Sequence, residues 1–265
     1  MIKQFKLAEL SLLAALVFSA CTENEDNLPK GTQLGTNTPP ITNGLLVVNQ
    51  GNQGYKLAGT LDLVDLNLNK VYPSAFQSVN NRSLGFSPQN VALNDSLIFV
   101  AVFDENLVQV INRQTFKATD TIHIAQPQCV LTDKEYLYVA SNAGKVMQVN
   151  VRTKARKQVA VGPNPMGLAV SNGALYVSIS DSYNYQGANA YANGKKLVKL
   201  APSTLAKLGE VAVGVNPTQL AADGKGNVCV VCQGNFADIP SQVYKGVAEE
   251  KAAPLCPGSF IAAMH

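Results

Sequence analysis

The chain has no Trp and only two His, His123 and His265. A Ser-His-Asp triad or a His-ligated metal centre has almost nothing to be built from. Charge is scarce too, at 15% Asp, Glu, Lys and Arg against roughly 25% in an average domain. The 21 basic and 18 acidic residues leave a net charge of +3. That is no excess with which to neutralise a phosphate backbone, so a nucleic-acid partner is excluded. What is present is 46% hydrophobic residues, 20 Gly and 13 Pro, the composition of a core-forming, turn-rich chain and not of a disordered one. A length of 265 residues fits one large domain or two small ones.

The apolar run Leu10–Phe18 follows Lys3 and Lys6 and is too short for a membrane-spanning helix, which takes about 20 residues. It leads into Phe18-Ser19-Ala20-Cys21. Small residues before a cut site fit a signal peptidase, and the Cys at that position resembles the bacterial lipobox. Residues 1–20 are thus expected to be a signal peptide, and Cys21 to be the lipidated N-terminus of the mature protein. The other reading is a plain secretory signal with Cys21 an ordinary thiol. Residues 21–43 are polar and carry Gly and Pro without an apolar period; they read as the anchor and a flexible tether. Glu23, Glu25 and Asp26 resemble the acidic tract that directs Bacteroidetes lipoproteins to the cell surface, or form a solvated linker.

From Leu45 onward apolar residues alternate between turn residues, the pattern of strands. The pattern also repeats. Pro88, Pro127, Pro165 and Pro217 each open a similar unit, 39, 38 and 52 residues apart. Each Pro starts a short strand. A tight turn and a strongly apolar second strand follow, the second strands being Leu97–Phe103, Tyr136–Ala140, Ala174–Ile179 and Val228–Val231. Asn172-Gly173 is a hairpin turn of the most specific kind. Third strands are expected at Leu107–Ile111, Val146–Val149, Leu197–Leu200 and Gln242–Tyr244, and fourth strands at Thr119–Ile124, Lys157–Val161, Leu208–Val213 and before Pro257. Four antiparallel strands in about 40 residues make a β-propeller blade. The fold class is therefore all-β, a propeller with about five blades over residues 44–265. The first blade supplies only Leu45–Asn49, Thr60–Asp65 and Lys70–Tyr72, matching second to fourth strands, while Pro257–Ala263 resembles the opening of a blade and is expected to supply the missing first strand.

Leu46-Val47-Val48-Asn49-Gln50-Gly51-Asn52, Asn80-Asn81-Arg82-Ser83-Leu84-Gly85 and the Pro-led units together resemble the YncE-like seven-bladed propeller lipoproteins of Bacteroidetes. The resemblance implies an outer-membrane, lipid-anchored and surface-exposed protein, with a periplasm-facing orientation as the other option. Some members of that group capture cobalamin and pass it to a TonB-dependent transporter, and others have no assigned ligand. Seven blades of about 40 residues need about 280, so the expectation is either a closed five-bladed ring or part of a seven-bladed one.

In a propeller the loops between second and third strands share a face with the starts of the first strands. That face carries Gln50, Asn52, Tyr55, Phe103, Asp104, Asn142, Tyr183, Asn184, Tyr185, Tyr191, Gln233, Asn235 and Phe236. The first strands add Gln89, Asn90, Gln126, Gln128, Asn164, Asn216 and Gln219. Amides both donate and accept and rings offer apolar faces, which suits a large neutral polar ligand such as a corrinoid, a glycan or a peptide; Asn, Gln and Gly are also ordinary turn formers. The stretch Asp181–Gly194 causes the 52-residue spacing, and a loop of that length is often functional.

Other candidates carry less. Cys229 and Cys232 lie three apart in a strand, so they face opposite sides and can neither bridge each other nor chelate one metal, while pairing with a distant partner stays open in an oxidising periplasm. With Cys129 and Cys256 they read as small buried hydrophobes. His123 falls on an outer strand. Asp62 and Asp65 point to opposite faces. Lys225 sits where a calcium loop would need oxygen. Quinoprotein propellers dock their cofactor on Trp-rich repeats, which this chain lacks. The expected function is a non-enzymatic envelope protein that binds a small molecule or glycan for a TonB-dependent transporter, with no catalytic residue, metal or cofactor. The alternatives are a propeller hydrolase or lyase, such as a lactonase, and a protein-interaction scaffold.

Overall fold

The computed structural model describes Leu34, residues 43–245 and the backbone of 253–257. Residues 1–20, expected to be a signal peptide, Cys21, the acidic residues Glu23, Glu25 and Asp26, the Cys256 side chain and residues 258–265 lie outside the described residues. The fold is an all-β propeller of five antiparallel sheets, the first with three strands and the others with four. Blade 1 is β1 (Gly44–Asn49), β2 (Thr60–Asp65) and β3 (Lys70–Tyr72). Blade 2 is β4 (Pro88–Leu93), β5 (Leu97–Val102), β6 (Leu107–Asn112) and β7 (Ala118–His123). Blade 3 is β8 (Pro127–Asp133), β9 (Tyr136–Ser141), β10 (Lys145–Asn150) and β11 (Arg156–Ala160). Blade 4 is β12 (Pro165–Ser171), β13 (Ala174–Ile179), β14 (Lys196–Leu200) and β15 (Lys207–Ala212). Blade 5 is β16 (Pro217–Ala222), β17 (Val228–Cys232), β18 (Gln242–Lys245) and β19 (Ala253–Pro257).

The first strands β4, β8, β12 and β16 pack side by side in chain order, and β1 packs against β4. Among the described residues no comparable contact joins β16 to β1. The core lies between blades. Ile98, Val100 and Val102 of β5 pack with Leu61, Leu63 and Tyr72 of blade 1. Phe99 and Ala101, the residues between them, pack with Leu137, Val139 and Met147 of blade 3. Alternate residues of one strand thus feed two interfaces, because a strand turns successive side chains to opposite faces. This is why the second strands read as unbroken apolar runs instead of alternating ones.

The Pro that opens each of blades 2 to 5 is preceded by a residue with positive φ: Ser87 (53°), Gln126 (45°), Asn164 (48°) and Asn216 (56°). The kink aims each preceding carbonyl at the end of the second strand, where it accepts from Phe103 N (3.1 Å), Asn142 N (2.9 Å), Ser180 N (3.1 Å) and Gln233 N (2.9 Å). Pro itself has no N–H to leave unpaired at the sheet edge. The Asn172-Gly173 hairpin has φ of 46° and 69°, the two positive values that a type I′ turn requires.

Three expectations need correction. Pro257 does not open a blade: it pairs with Gln242 as the last residue of β19. Leu34, read as part of the tether, is buried and packs with Phe76 and Ile98. A short helix absent from the strand pattern, α1 (Ala75–Asn80), joins β3 to β4 and buries Ala75 and Phe76. Its end is held by Arg82, which lies 4.9 Å over the Phe76 ring and donates to Gln109 Oε1 at 2.8 Å.

Candidate ligand-binding face

The loops after the second strands and the kinked starts of the first strands meet on one face, joined by the carbonyl bonds described above. Three groupings of side chains form on it. At blades 1 to 3, Gln50 Nε2 donates to Gln89 Oε1 at 2.8 Å, and Gln128 Nε2 donates to the same oxygen at 3.1 Å. Gln89 and Gln128 hold equivalent places on β4 and β8, one after each opening Pro, and Gln50 reaches them from the loop after β1. Asn90, next to Gln89, accepts Val130 N at 2.9 Å and ties blade 2 to blade 3.

At blades 3 and 4, Asn142 Nδ2 donates to Tyr183 Oη at 2.9 Å. Asn164 closes the group: its Oδ1 accepts Tyr183 N at 3.2 Å, and its Nδ2 donates to the Asn142 carbonyl at 3.4 Å. Asn142 is buried, yet its Oδ1 has no hydrogen-bond partner. At blades 4 and 5, Asn216 N donates to the Gly194 carbonyl at 2.8 Å, and Asn216 Nδ2 donates to Gln233 Oε1 at 3.4 Å. Asn216 Oδ1 is also buried without a partner. Most buried polar groups are hydrogen-bonded, so two orphaned amide oxygens on one face are notable.

The long loop of blade 4 has a rigid root. Asp181, itself buried, accepts from Asn193 N (2.9 Å), Asn184 Nδ2 (3.2 Å) and Asn193 Nδ2 (3.4 Å). Asn184 is therefore a bracing residue, and it donates to the Asn189 carbonyl at 2.9 Å as well. Tyr191, expected on the binding face, is only 3% exposed; its ring anchors the loop instead. Tyr183 and Tyr185 remain 65% and 59% exposed. The sequence pattern could not separate the three rings, since all occur among the same small and polar residues.

The remaining expected residues divide between contact surface and turn scaffold. Tyr55 and Phe236 are exposed, and Phe103 is half-buried. Asn52 Oδ1 accepts Tyr55 N at 3.2 Å, capping a 3-10 turn. Asn235 Oδ1 accepts Ala237 N (3.1 Å) and Ile239 N (2.8 Å), and its Nδ2 holds the Asp238 carboxyl below the usual carboxylate range. Asp104 accepts the Ser87 hydroxyl. The carboxylates Asp104, Asp181 and Asp238 are thus each engaged by neighbouring donors.

Elsewhere, His123 is exposed on β7. Asp62 is half-buried and Asp65 is buried on the opposite face of β2. Asp223 accepts Lys225 N and Asn227 N and is lowered to about 2, first by the Asn227 side chain. Cys129, Cys229 and Cys232 are free thiols. Only Cys232 of these is fully buried; Cys129 and Cys229 are partly so. Among the described residues no group of three or more His, Cys, Asp or Glu is placed to hold a metal.

No protein-family model and no curated protein sequence matches the chain. Solved structures do. Hydrazine synthase of Kuenenia stuttgartiensis is similar over 62% of this chain and 47% of its own, with 19% identity and a TM-score of 0.53. A quinonprotein alcohol dehydrogenase-like protein of Bacteroides thetaiotaomicron is similar over 83% of this chain and 52% of its own, with 11% identity and a TM-score of 0.58. The chain therefore spans about half the length of these structures. At such identities the likeness carries the architecture alone, and what it shows for this chain is a β-propeller.

Proposed function

We propose that this chain is a non-enzymatic, lipid-anchored envelope protein of the YncE-like propeller lipoprotein group. Its loop face holds a polar ligand for a TonB-dependent outer-membrane transporter. The observation that carries the ligand-binding part is the face itself: exposed Tyr55, Tyr183, Tyr185 and Phe236 beside the buried, unpartnered oxygens of Asn142 and Asn216. Rings supply contact area at low entropy cost, and amides fix orientation. A hydrolase or lyase would need carboxylates free to exchange protons or hold a metal. Here Asp181 and Asp104 are engaged in bracing the loops.

Cys21, after a short apolar run, supports the anchor, and the resemblance supports the transporter. The test compares wild type with Cys21→Ala in cell fractionation, together with mild-detergent co-purification. Wild type is expected in the outer membrane with a TonB-dependent transporter, and Cys21→Ala in the soluble fraction. An unchanged membrane fraction for Cys21→Ala overturns the anchor. Recovery of wild type without a transporter overturns the uptake role.

A further inference from the structure

We infer that the junction between blades 3 and 4, built by Asn142, Asn164 and Tyr183, is a subsite for a neutral saccharide. The inference rests on the ligand-binding reading above and names the ligand class. It starts from what the junction lacks. Asn142 is 7% exposed, and its Oδ1 has no partner. A buried acceptor in that state is short of a donor. Much of the backbone of the loop beside it is already engaged. The backbone N–H groups of Tyr183, Asn184, Tyr191, Ala192, Asn193 and Gly194 are already bonded to Asn164, Asp181, Asn184, Asn189, Asp181 and Tyr191 in turn. The second orphaned acceptor, Asn216 Oδ1, is at the next blade junction, where Asn216 N bonds the Gly194 carbonyl at the end of the same loop.

A ligand for this place must bring donors. A carboxylate brings only acceptors, and a phosphate brings mostly acceptors. A peptide strand pairs through alternating backbone donors and acceptors, and the backbone donors of Tyr183 and Asn184, the loop residues nearest the Asn142–Asn164 pair in sequence, are taken. A saccharide brings many O–H donors and, on its ring faces, apolar C–H groups. The apolar side of the match is supplied by the same loop, where Tyr183 and Tyr185 are 65% and 59% exposed. Tyr183 also occupies the Asn142 amide, through the 2.9 Å bond from Nδ2 to its phenol oxygen. A sugar hydroxyl that takes this place accepts from Nδ2 and donates to Oδ1, completing the amide, while the displaced Tyr183 ring lies against the sugar.

The test is calorimetric titration of the full chain, in a detergent without a sugar headgroup, with maltoheptaose, cellohexaose, xylohexaose and mannohexaose. Inorganic phosphate and triglycine serve as controls. At least one oligosaccharide is expected to bind and the controls are not. Asn142→Ala is expected to weaken that binding at least about tenfold, and Tyr183→Ala to weaken it too. Tyr183→Phe keeps the ring and removes the competing phenol, so it is expected to bind at least as well as wild type. Circular dichroism of each variant checks that the propeller remains folded. Absence of binding by every oligosaccharide overturns the inference, as does binding that both Asn142→Ala and Tyr183→Ala leave unchanged. A negative titration with transporter co-purification intact overturns the saccharide assignment alone and leaves the uptake reading standing.

Discussion

Asn164 accepts Tyr183 N on its side-chain oxygen at 3.2 Å and donates to the Asn142 carbonyl at 3.4 Å, so one amide fastens blade 3 to the long loop of blade 4. It does so from a backbone φ of 48°, a region that Asn tolerates better than most residues. Two effects therefore meet at this position, and substitution separates them. Asn164→Ala loses both hydrogen bonds and strains the backbone, at an expected cost of about 2–4 kcal/mol. Asn164→Gly loses the bonds but relieves the strain, so its midpoint in urea unfolding is expected between Ala and wild type. An Ala variant as stable as wild type would show that the fastening carries no weight.

The tyrosines of the long loop have opposite roles. Tyr191 is 3% exposed and Tyr185 is 59% exposed. Tyr191→Ala empties a packed site and is expected to cost about 3 kcal/mol or more. Tyr185→Ala removes exposed surface, and its cost is expected within about 0.5 kcal/mol. Thermal unfolding of the two variants checks the order. The reverse order would mean that Tyr185, not Tyr191, anchors the loop.

Gly167 stands on β12 where it packs against β16 of blade 5. A Cβ built there would lie 2.3 Å from the Thr218 carbonyl oxygen. The same point is held by Ser178 Oγ, which accepts Gly167 N at 2.8 Å and donates to the Thr218 carbonyl at 2.6 Å. Gly167→Ala is expected to force β12 and β16 apart and to cost about 1–3 kcal/mol. Ser178→Ala leaves a buried donor and a buried acceptor unpaired, with a loss of similar size. Chemical denaturation of both variants tests the contact.

The blades were legible because their signals are local. Pro165, the Asn172-Gly173 turn and the apolar run Ala174–Ile179 each act within a few residues, and together they place β12 and β13. What stayed hidden depends on contacts distant in sequence. Leu34 looks like linker, and only the packing of Phe76 and Ile98 around it makes it core. The α1 helix is shorter than two turns, too short to show a 3.6-residue period. On the candidate face, residue types were readable but their states were not. Asn142 and Asn52 look alike in sequence; one is buried with an orphaned oxygen and the other caps a turn in solvent. Pro257 misled for a related reason. Proline starts four strands and ends β19, and its missing N–H suits either edge position.

The thiols of Cys129 and Cys232 are both pushed up to about 12 by burial, from an ordinary value of 9.0. Between those values the folded chain keeps two protons that the unfolded chain releases. Stability therefore falls with rising pH in that window, because the folded state binds more protons there. The contribution is complete below pH 9 and is lost progressively toward pH 12. Lysine and tyrosine titrate over the same range, so the slope must be isolated by difference. The double variant Cys129→Ala with Cys232→Ala is expected to show a shallower decline in urea midpoint above pH 9 than wild type. Alkylation gives a second readout, since the thiolate is the reactive form. At pH 8 both thiols are expected to resist iodoacetamide in the native chain and to react once urea unfolds it, as followed by mass spectrometry. Rapid native labelling of Cys232, or identical alkaline slopes for the two proteins, would show that burial does not hold these protons in place.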